Sequence, residues 1–593
     1  MKQMTMIKKS FSVFILMLST VFCQAAPVSI LEAGGWFESG YVTWQKTSGM
    51  KYNVYVSPVS EESWVKLDDE LVREYADYGR ADALGLLAGN YRFKVVPVSG
   101  SEEQSADAAI SSAIDVKAHD RNGFAHKQAG ATGIGAYNND GTLKSNARVV
   151  YVWAENAKTV SLKIKKDKKG TEATYTGLQD IIYGYQKGDA DGSYDERPLC
   201  VRIIGTIRDT DMDSFGSSAE GLQIKGAKEY QPMHITIEGV GNDATIWGFG
   251  FLIRNSASVE LRNFGIMLCM DDCVSIDTKN EMIWVHNLDF FYGKPGSAAD
   301  QKKGDGTLDI KGNSHWCTFS YNHFYDSGKS SLGGMKSEST TDYNTYHHNW
   351  FDHSDSRHPR IRTMSMHIYN NYFDGNSKYG VGMTYGGSAF VEQNYFRHCK
   401  NPMLISKQGT DAKGSGTFSG ENGGVIKSYG NIVKDASSLV TYQQNASSWD
   451  CWEASARNDQ VPADVVAKAG GTGYNNFDTD ASVMYDYTPD AAANVPAIVT
   501  GTYGAGRMQH GDFQWTFDNA TQDTNDAIIP ELKSALQDYQ TMWIGFFTGA
   551  TAIRELQRTS SDNQSFFDLQ GRQIKRPVNH QVVVHNGHKY VSQ

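Results

Sequence analysis

The chain has 593 residues, 21% of them charged, and a formal net charge of −11. That length exceeds what one compact core serves, so several structural units are expected. The acidic balance argues against a nucleic-acid partner, and a site for an anionic ligand would have to be a local cationic patch.

Residues 1–25 have the pattern of a secretory signal. Lys2, Lys8 and Lys9 precede an apolar run from Phe11 to Phe22, and Gln24, Ala25 and Ala26 follow. The run is too short to span a bilayer and no later stretch is long enough, so no membrane span is expected. Cleavage near Ala25 or Ala26 would release the protein to the periplasm, cell surface or medium of a bacterium. Loss of the three signal lysines would take the charge to −14 (−11 − 3). Bulky Phe22 disfavours a lipid anchor on Cys23. Cys200, Cys269, Cys273, Cys317, Cys399 and Cys451 then remain, too sparse for a disulfide framework and without zinc-type pairing. One or two bridges and buried free thiols both fit this set.

Residues 27–117 are predicted to form an all-β module. Strand-like runs at 41–44, 52–56 and 91–98 alternate with turn residues, as in a β-sandwich. The pattern WQ…YNVYV…GNYRFKVVPV resembles a fibronectin type III-like domain, read here as a spacer or packing module. From about residue 148 the composition changes to short strands rich in Val, Ile and Thr with Gly and Asn at the breaks. The segment 176–185 is predicted helical, placed to cap an open end of a stack.

A repeat follows. Asn322-His-Phe324, Asn349-Trp-Phe351, Asn371-Tyr-Phe373 and Asn394-Tyr-Phe396 recur at intervals of 27, 22 and 23 residues, with weaker partners at Asn263, Asn287 and Asn431. This is the period of one turn of a parallel β-helix, three short strands and three bends. Because positions i and i+2 of a strand share a face, each Asn and its Phe point inward together. These asparagines are therefore read as structural, bonding the coil backbone at the bends while the rings fill the core. The fold expected is all-β: a parallel β-helix over 118–555, the sandwich before it, and a small C-terminal β segment at 560–593. That tail loosely resembles sorting segments of secreted bacterial proteins.

The chemistry concentrates between Asp305 and Arg362. In GDGTLDI, Asp305, Thr307 and Asp309 share one face of an extended segment, and Asp272 in MDDCVSID lies about one coil earlier, with Asp271 as a fourth candidate. Oxygen donors alone suit calcium or magnesium, and calcium better tolerates an irregular, partly solvated site. DSGKSSLGG supplies Lys329, and SRHPRIR supplies Arg357, Arg360 and Arg362. Arg360 and Arg362 share a strand face, and a bend at Pro359 lets Arg357 converge on Arg362. The lack of acids following Asp355 leaves these guanidiniums available to bind substrate carboxylates. A second acidic segment, with Asp189, Asp191, Asp195 and Glu196, resembles part of an EF-hand loop but lacks the distal acid, and is read as surface. His347, His348, His353, His358 and His367 show no zinc spacing with an acid and are expected to line the coils.

Residues 148–480 resemble the pectate lyase family of calcium-dependent polysaccharide lyases, in DGTLDI, TFSYNHFYDSGKSSLGG, the HHNWFD coil, RHPRIR and MHIYNNYF. The resemblance implies a right-handed parallel β-helix that cleaves α-1,4-polygalacturonate, the partner expected here, by β-elimination, acting as a monomer. It also implies Ca2+ held by Asp272, Asp305 and Asp309, proton abstraction by Arg357, and substrate carboxylates bound by Lys329 and Arg362, with Lys311 and Arg360 as further substrate contacts. One departure is Trp284-Val285-His286-Asn287, where the family has WIDH. Competing readings are a calcium-free pectin lyase on methyl-esterified chains, against which the three aspartates speak; a hydrolase, which has no call for the Arg357 cluster; and a non-catalytic β-helical glycan-binding protein.

Overall fold

The computed structural model of the chain describes residues 27–547 apart from 190, 217, 340 and 414–417, together with short strands at 553–554, 566–567, 573–574, 582–585 and 588–591. The expected signal at 1–25 lies outside the described residues. Three sheets of twelve, nine and eight strands dominate the fold, and successive strands visit them in turn. One coil runs Glu281–His286, Asp289–Phe290, Leu308–Lys311; the next runs Cys317–Ser320, His323–Tyr325, Leu332–Gly333; the third runs Tyr343–His347, Trp350–Asp352, Arg360–Arg362. Equivalent strands pair in parallel and in register, so that Val285, Phe319, Tyr346, Ile368 and Val391 stack directly over one another. This is a parallel β-helix, with coils from Arg148–Val152 to Trp452–Glu453. The strand Ile553–Arg554 closes the edge of the first coil by antiparallel pairing.

The asparagine repeat builds one edge of the coils. Tyr321, His348, Asn370 and Gln393 each adopt left-handed backbone (φ 54, 54, 51 and 51), which turns the following Asn inward. Asn322 Nδ2 then donates to Asn349 Oδ1 at 3.0 Å, Asn349 to Asn371 at 2.9 Å, Asn371 to Asn394 at 3.0 Å, and Asn394 to Asn431 at 3.0 Å. Beside them Phe290, Phe324, Phe351, Phe373 and Phe396 stack with centroids 4.1–5.2 Å apart. Asn263 and Asn287 do not join the ladder, unlike Asn431. They occupy the left-handed bend themselves (φ 59 and 50), and their amides reach outward, Asn287 to the carbonyls of Gly504 and Gly506. The inward position is taken by Leu288, so the earlier coils close on apolar packing.

The helix Leu178–Gln186 buries Leu178, Ile181, Ile182 and Tyr185 in the core at the start of the coils. Before it, residues 30–116 form two antiparallel sheets. One has the order Ile30–Trp36, Ser39–Gln45, Tyr78–Leu84, Val72–Tyr75, and is extended by Trp543–Phe546 from the far end of the chain. Val42, Trp44, Val54, Phe93 and Val95 share a continuous core with Val149, Tyr151 and Cys200 of the first coils. Cys269 and Cys273 are bridged, while Cys200, Cys317, Cys399 and Cys451 are free and buried. Among the described residues no helix is long and apolar enough to cross a membrane.

Candidate active site

The eight-stranded sheet positions the acidic and basic groups. Leu308 and Ile310 are fully buried within the coil, so alternation turns Asp309 and Lys311 to the outer face. Ser275 pairs with Asp309 and Asp277 with Lys311, which brings the segment before Val274–Asp277 alongside. That segment is the five-residue loop closed by the Cys269–Cys273 bridge, and it carries Asp271 and Asp272. One carboxylate oxygen each of Asp271, Asp272 and Asp305 lies within 4.8 Å of the others. Asp309 joins them across Gly306. A Cβ there would meet Asp309 Oδ2 at 2.5 Å and Asp272 Oδ1 at 2.6 Å, so a side chain at this position would fill the space between the two carboxylates.

Four acids in so small a volume repel one another. Burial, and then the Asp272 charge, pushes Asp309 up to about 7. Burial followed by the charges of Asp272 and Asp305 pushes Asp271 up to about 6. Asp305 is held below the ordinary carboxylate range. Burial alone would raise it, but the hydrogen bond and charge of Lys329, at 3.0 Å, outweigh that. Lys311 donates to Asp272 at 3.1 Å, and Lys329 also pairs with Asp300 at 3.1 Å.

The cations follow on the next coils. Ile361 is buried, so Arg360 and Arg362 flank it on the outer face. Arg357 precedes them in left-handed backbone (φ 64), within electrostatic reach of Asp305 and Asp309 on one side and Arg360 on the other. Its backbone carbonyl accepts from Ser331 N–H at 2.7 Å, and its side chain has no hydrogen bond or ion pair among the described residues. The expectation that Arg360 and Arg362 lack acidic neighbours fails. Glu421, brought in from a distant loop, accepts from Arg362 Nε and Nη2 at 3.0 Å each and lies 3.2 Å from Arg360 and 3.1 Å from Lys336. Three cations share that one acid, so the edge still favours added negative charge. Glu421 stands in GSGTFSGENGG with no local signal of its role. Lys303 is equally silent in sequence. Its buried ammonium joins Asp326 to Asp355, three residues before Lys329 and two before Arg357.

The structure thus gathers Asp271, Asp272, Asp305, Asp309, Lys311, Lys329, Arg357, Arg360 and Arg362 along neighbouring coils of one sheet. In the EF-hand-like segment, Asp189 and Asp191 share Lys168 at 2.9 Å, and Asp195 pairs with Arg197 at 2.6 Å, so these three acids are already engaged in ion pairs. The histidines do line the coils, but acids distant in sequence reach four of them: Asp120 meets His347, Asp490 meets His348, Asp523 meets His353, and Glu392 meets His367.

Residues 201–492 match the pectate lyase family model. That match places the coils of residues 201–492 with the pectate lyase family. It is 30% identical over 213 residues to a pectate trisaccharide-lyase of Bacillus licheniformis, an alignment covering 35% of this chain and 58% of that one. It is 29% identical over 343 residues to pectate lyase 3 of Pectobacterium carotovorum subsp. carotovorum, covering 54% and 82% respectively. A solved structure of pectate lyase II from Xanthomonas campestris pv. campestris aligns with 66% of this chain and 99% of its own, at 23% identity and a TM-score of 0.42. The chain therefore spans 58% of the length of the first of these relatives. The family match begins at residue 201, so the sandwich lies outside the matched region.

Proposed function

We propose that this protein is an exported pectate lyase that cleaves α-1,4-linked polygalacturonate by β-elimination. The observation that carries the reading is the meeting of the acid cluster and the cation row on one outer sheet face, over consecutive coils. The acids fit a divalent cation. All donors are oxygen, they are crowded around a side-chain-free Gly306, and Asp271 and Asp309 resist ionising in the absence of further positive charge. Such a set suits calcium, with Asp272, Asp305 and Asp309 to hold it and Asp271 beside them. Held by these carboxylates, calcium would supply positive charge against the negative charge that develops on the substrate.

The chain's own residues do the rest. Lys329 and Arg362 bind the substrate carboxylate, and Lys311 and Arg360 extend the cationic edge along the polymer. Arg357, standing between the acids and the arginines, takes the proton from C5 in its neutral guanidine form and becomes guanidinium. The electrons of that C–H bond form the C4–C5 double bond, the C4–O4 bond breaks, and O4 leaves with its electron pair to be protonated from solvent. No water attacks carbon. A guanidinium holds its proton to high pH, so an alkaline optimum is expected. The buried Cys269–Cys273 bridge suits an oxidising compartment outside the cytosol, in keeping with an N-terminal export signal. The 27–117 sandwich is read as a packing module, because its core is continuous with the first coils.

Ultraviolet absorbance of the unsaturated product on polygalacturonate tests this reading. Calcium should support a steady rise that excess chelator stops. Calcium-independent release on esterified pectin would favour a pectin lyase, and new reducing ends without the chromophore would favour hydrolysis. Binding without turnover would leave only a glycan-binding role.

A further inference from the structure

Under the linker that joins the sandwich to the coils, a second group of ligating atoms gathers far from the acid-lined sheet. His347 ends the strand Tyr343–His347, and His348 follows in left-handed backbone, so that the two Nδ1 atoms face each other at 2.9 Å. Asp120 approaches from the linker with Oδ2 3.9 Å from His347 Nδ1, and one donor atom from each residue falls within 4.8 Å of the other two. Both rings are held in place. Tyr321 stacks on His348 at 4.7 Å, and Tyr369 stacks on His347 at 5.0 Å. His348 Nε2 lies 3.0 Å from Asp490, a carboxylate–imidazole pair that fixes the proton on Nε2 and leaves Nδ1 with a lone pair. The two Nδ1 atoms share a hydrogen bond that a metal would replace, and His347 Nε2 is buried without a hydrogen-bond partner among the described residues.

We propose that Asp120, His347 and His348 form a second metal site, for a zinc-class ion rather than calcium, which fastens the linker to the coils. Two imidazoles and one carboxylate suit zinc and its neighbours, whereas calcium calls for six or more oxygens. A tetrahedral ion with ligand bonds of roughly 2.0–2.1 Å keeps its donor atoms about 3.3 Å apart. The observed 2.9 and 3.9 Å separations bracket that value, and the third pair, His348 with Asp120, lies within 4.8 Å, so the site closes by local shifts of these side chains. Asp120 keeps 24% of its side chain exposed, which gives an ion its entry and leaves the fourth position to water. The location explains what the ion would do. Lys117 still bridges to Phe37 of the sandwich, Arg121 pairs with Glu38, and the backbone N–H groups of Phe124 and Ala125 donate to Thr345 and Thr318 of the coils. A metal on Asp120 would pin this junction where it passes from one unit to the other.

The test uses the full chain, stripped with chelator and titrated with Co2+ and then Zn2+. The expected result is a visible Co2+ absorption that saturates at one ion per chain and is displaced by zinc. Asp120→Asn, at a partly exposed position, should weaken uptake at least about tenfold with unchanged circular dichroism, and Asp490→Asn should weaken it by about tenfold through His348. Asp272→Asn should leave the Co2+ signal intact, which separates this site from the acid cluster. Zinc should raise the melting temperature of the native protein but not of Asp120→Asn. No uptake by the native chain, equal uptake by Asp120→Asn, or loss of the signal in Asp272→Asn would each overturn the proposal.

Discussion

At the scale of single residues, Arg357 and His353 show how differently two nitrogen bases can be used. The Arg357 side chain has no hydrogen bond or ion pair among the described residues, and it is half-buried. Replacing it with Ala is expected to cut product formation by about 10²–10⁴-fold, the usual value of a positioned proton acceptor, while the melting temperature stays unchanged. A loss of both together would assign Arg357 a structural role. His353 is the opposite case. Burial pulls its pKa down, but Asp352 at 2.6 Å and Asp523 at 3.2 Å override that and hold it at about 9. A pKa raised on folding adds stability that is complete below the unfolded value near 6.5 and is lost as pH rises through about 9. His353→Gln should therefore destabilise the protein by up to roughly 3 kcal/mol at pH 6 and by little at pH 10. Denaturant unfolding at the two pH values checks the sign.

At the scale of elements, the asparagine ladder and the phenylalanine stack carry different burdens. Asn349 accepts from the backbone and side-chain N–H groups of Asn322 and donates to Phe319 O and Asn371 Oδ1. Asn349→Ala strands those groups inside a closed coil, and a loss of ~2–4 kcal/mol is expected in chemical denaturation. Asn431, at the less buried end of the ladder, should cost less when replaced in the same way. The ladder was legible in the sequence because it repeats with its aromatic two residues on. The bend that aims it was not. Left-handed backbone at Tyr321 or His348 has no mark in residue type, which is why Asn263 and Asn287 read as members although they occupy the bend and turn away.

At the scale of the whole molecule, buried charge joins the sandwich to the coils. Arg73 pairs with Asp82 inside the sandwich and, at 3.1 Å, with Asp243 of the β-helix, and all three are buried. Asp243 also accepts from Tyr75 and Thr541. Removing one partner leaves the others buried with unmet charge, so Asp243→Ala is expected to cost about 3–5 kcal/mol. Hydrogen exchange should then show Val72–Tyr75 and its neighbour Trp543–Phe546 opening before the coils; uniform loss of protection would mean the two units are not coupled through this pair.

Sequence by itself determined the coil, because its period and inward-facing pairs are local, and it named the acids and bases of the candidate site, because they fall in four short motifs spaced about one coil apart. Tertiary structure alone decided what those groups meet. Glu421 arrives on Arg362 from 59 residues away, Lys303 spans two coils to hold Asp326 and Asp355, and Asp120 comes to His347 from across the sandwich linker. Stacking coils fixes neighbours by height and face, so a charge far along the chain can lie as near as the adjacent residue, and no local pattern records which one it will be.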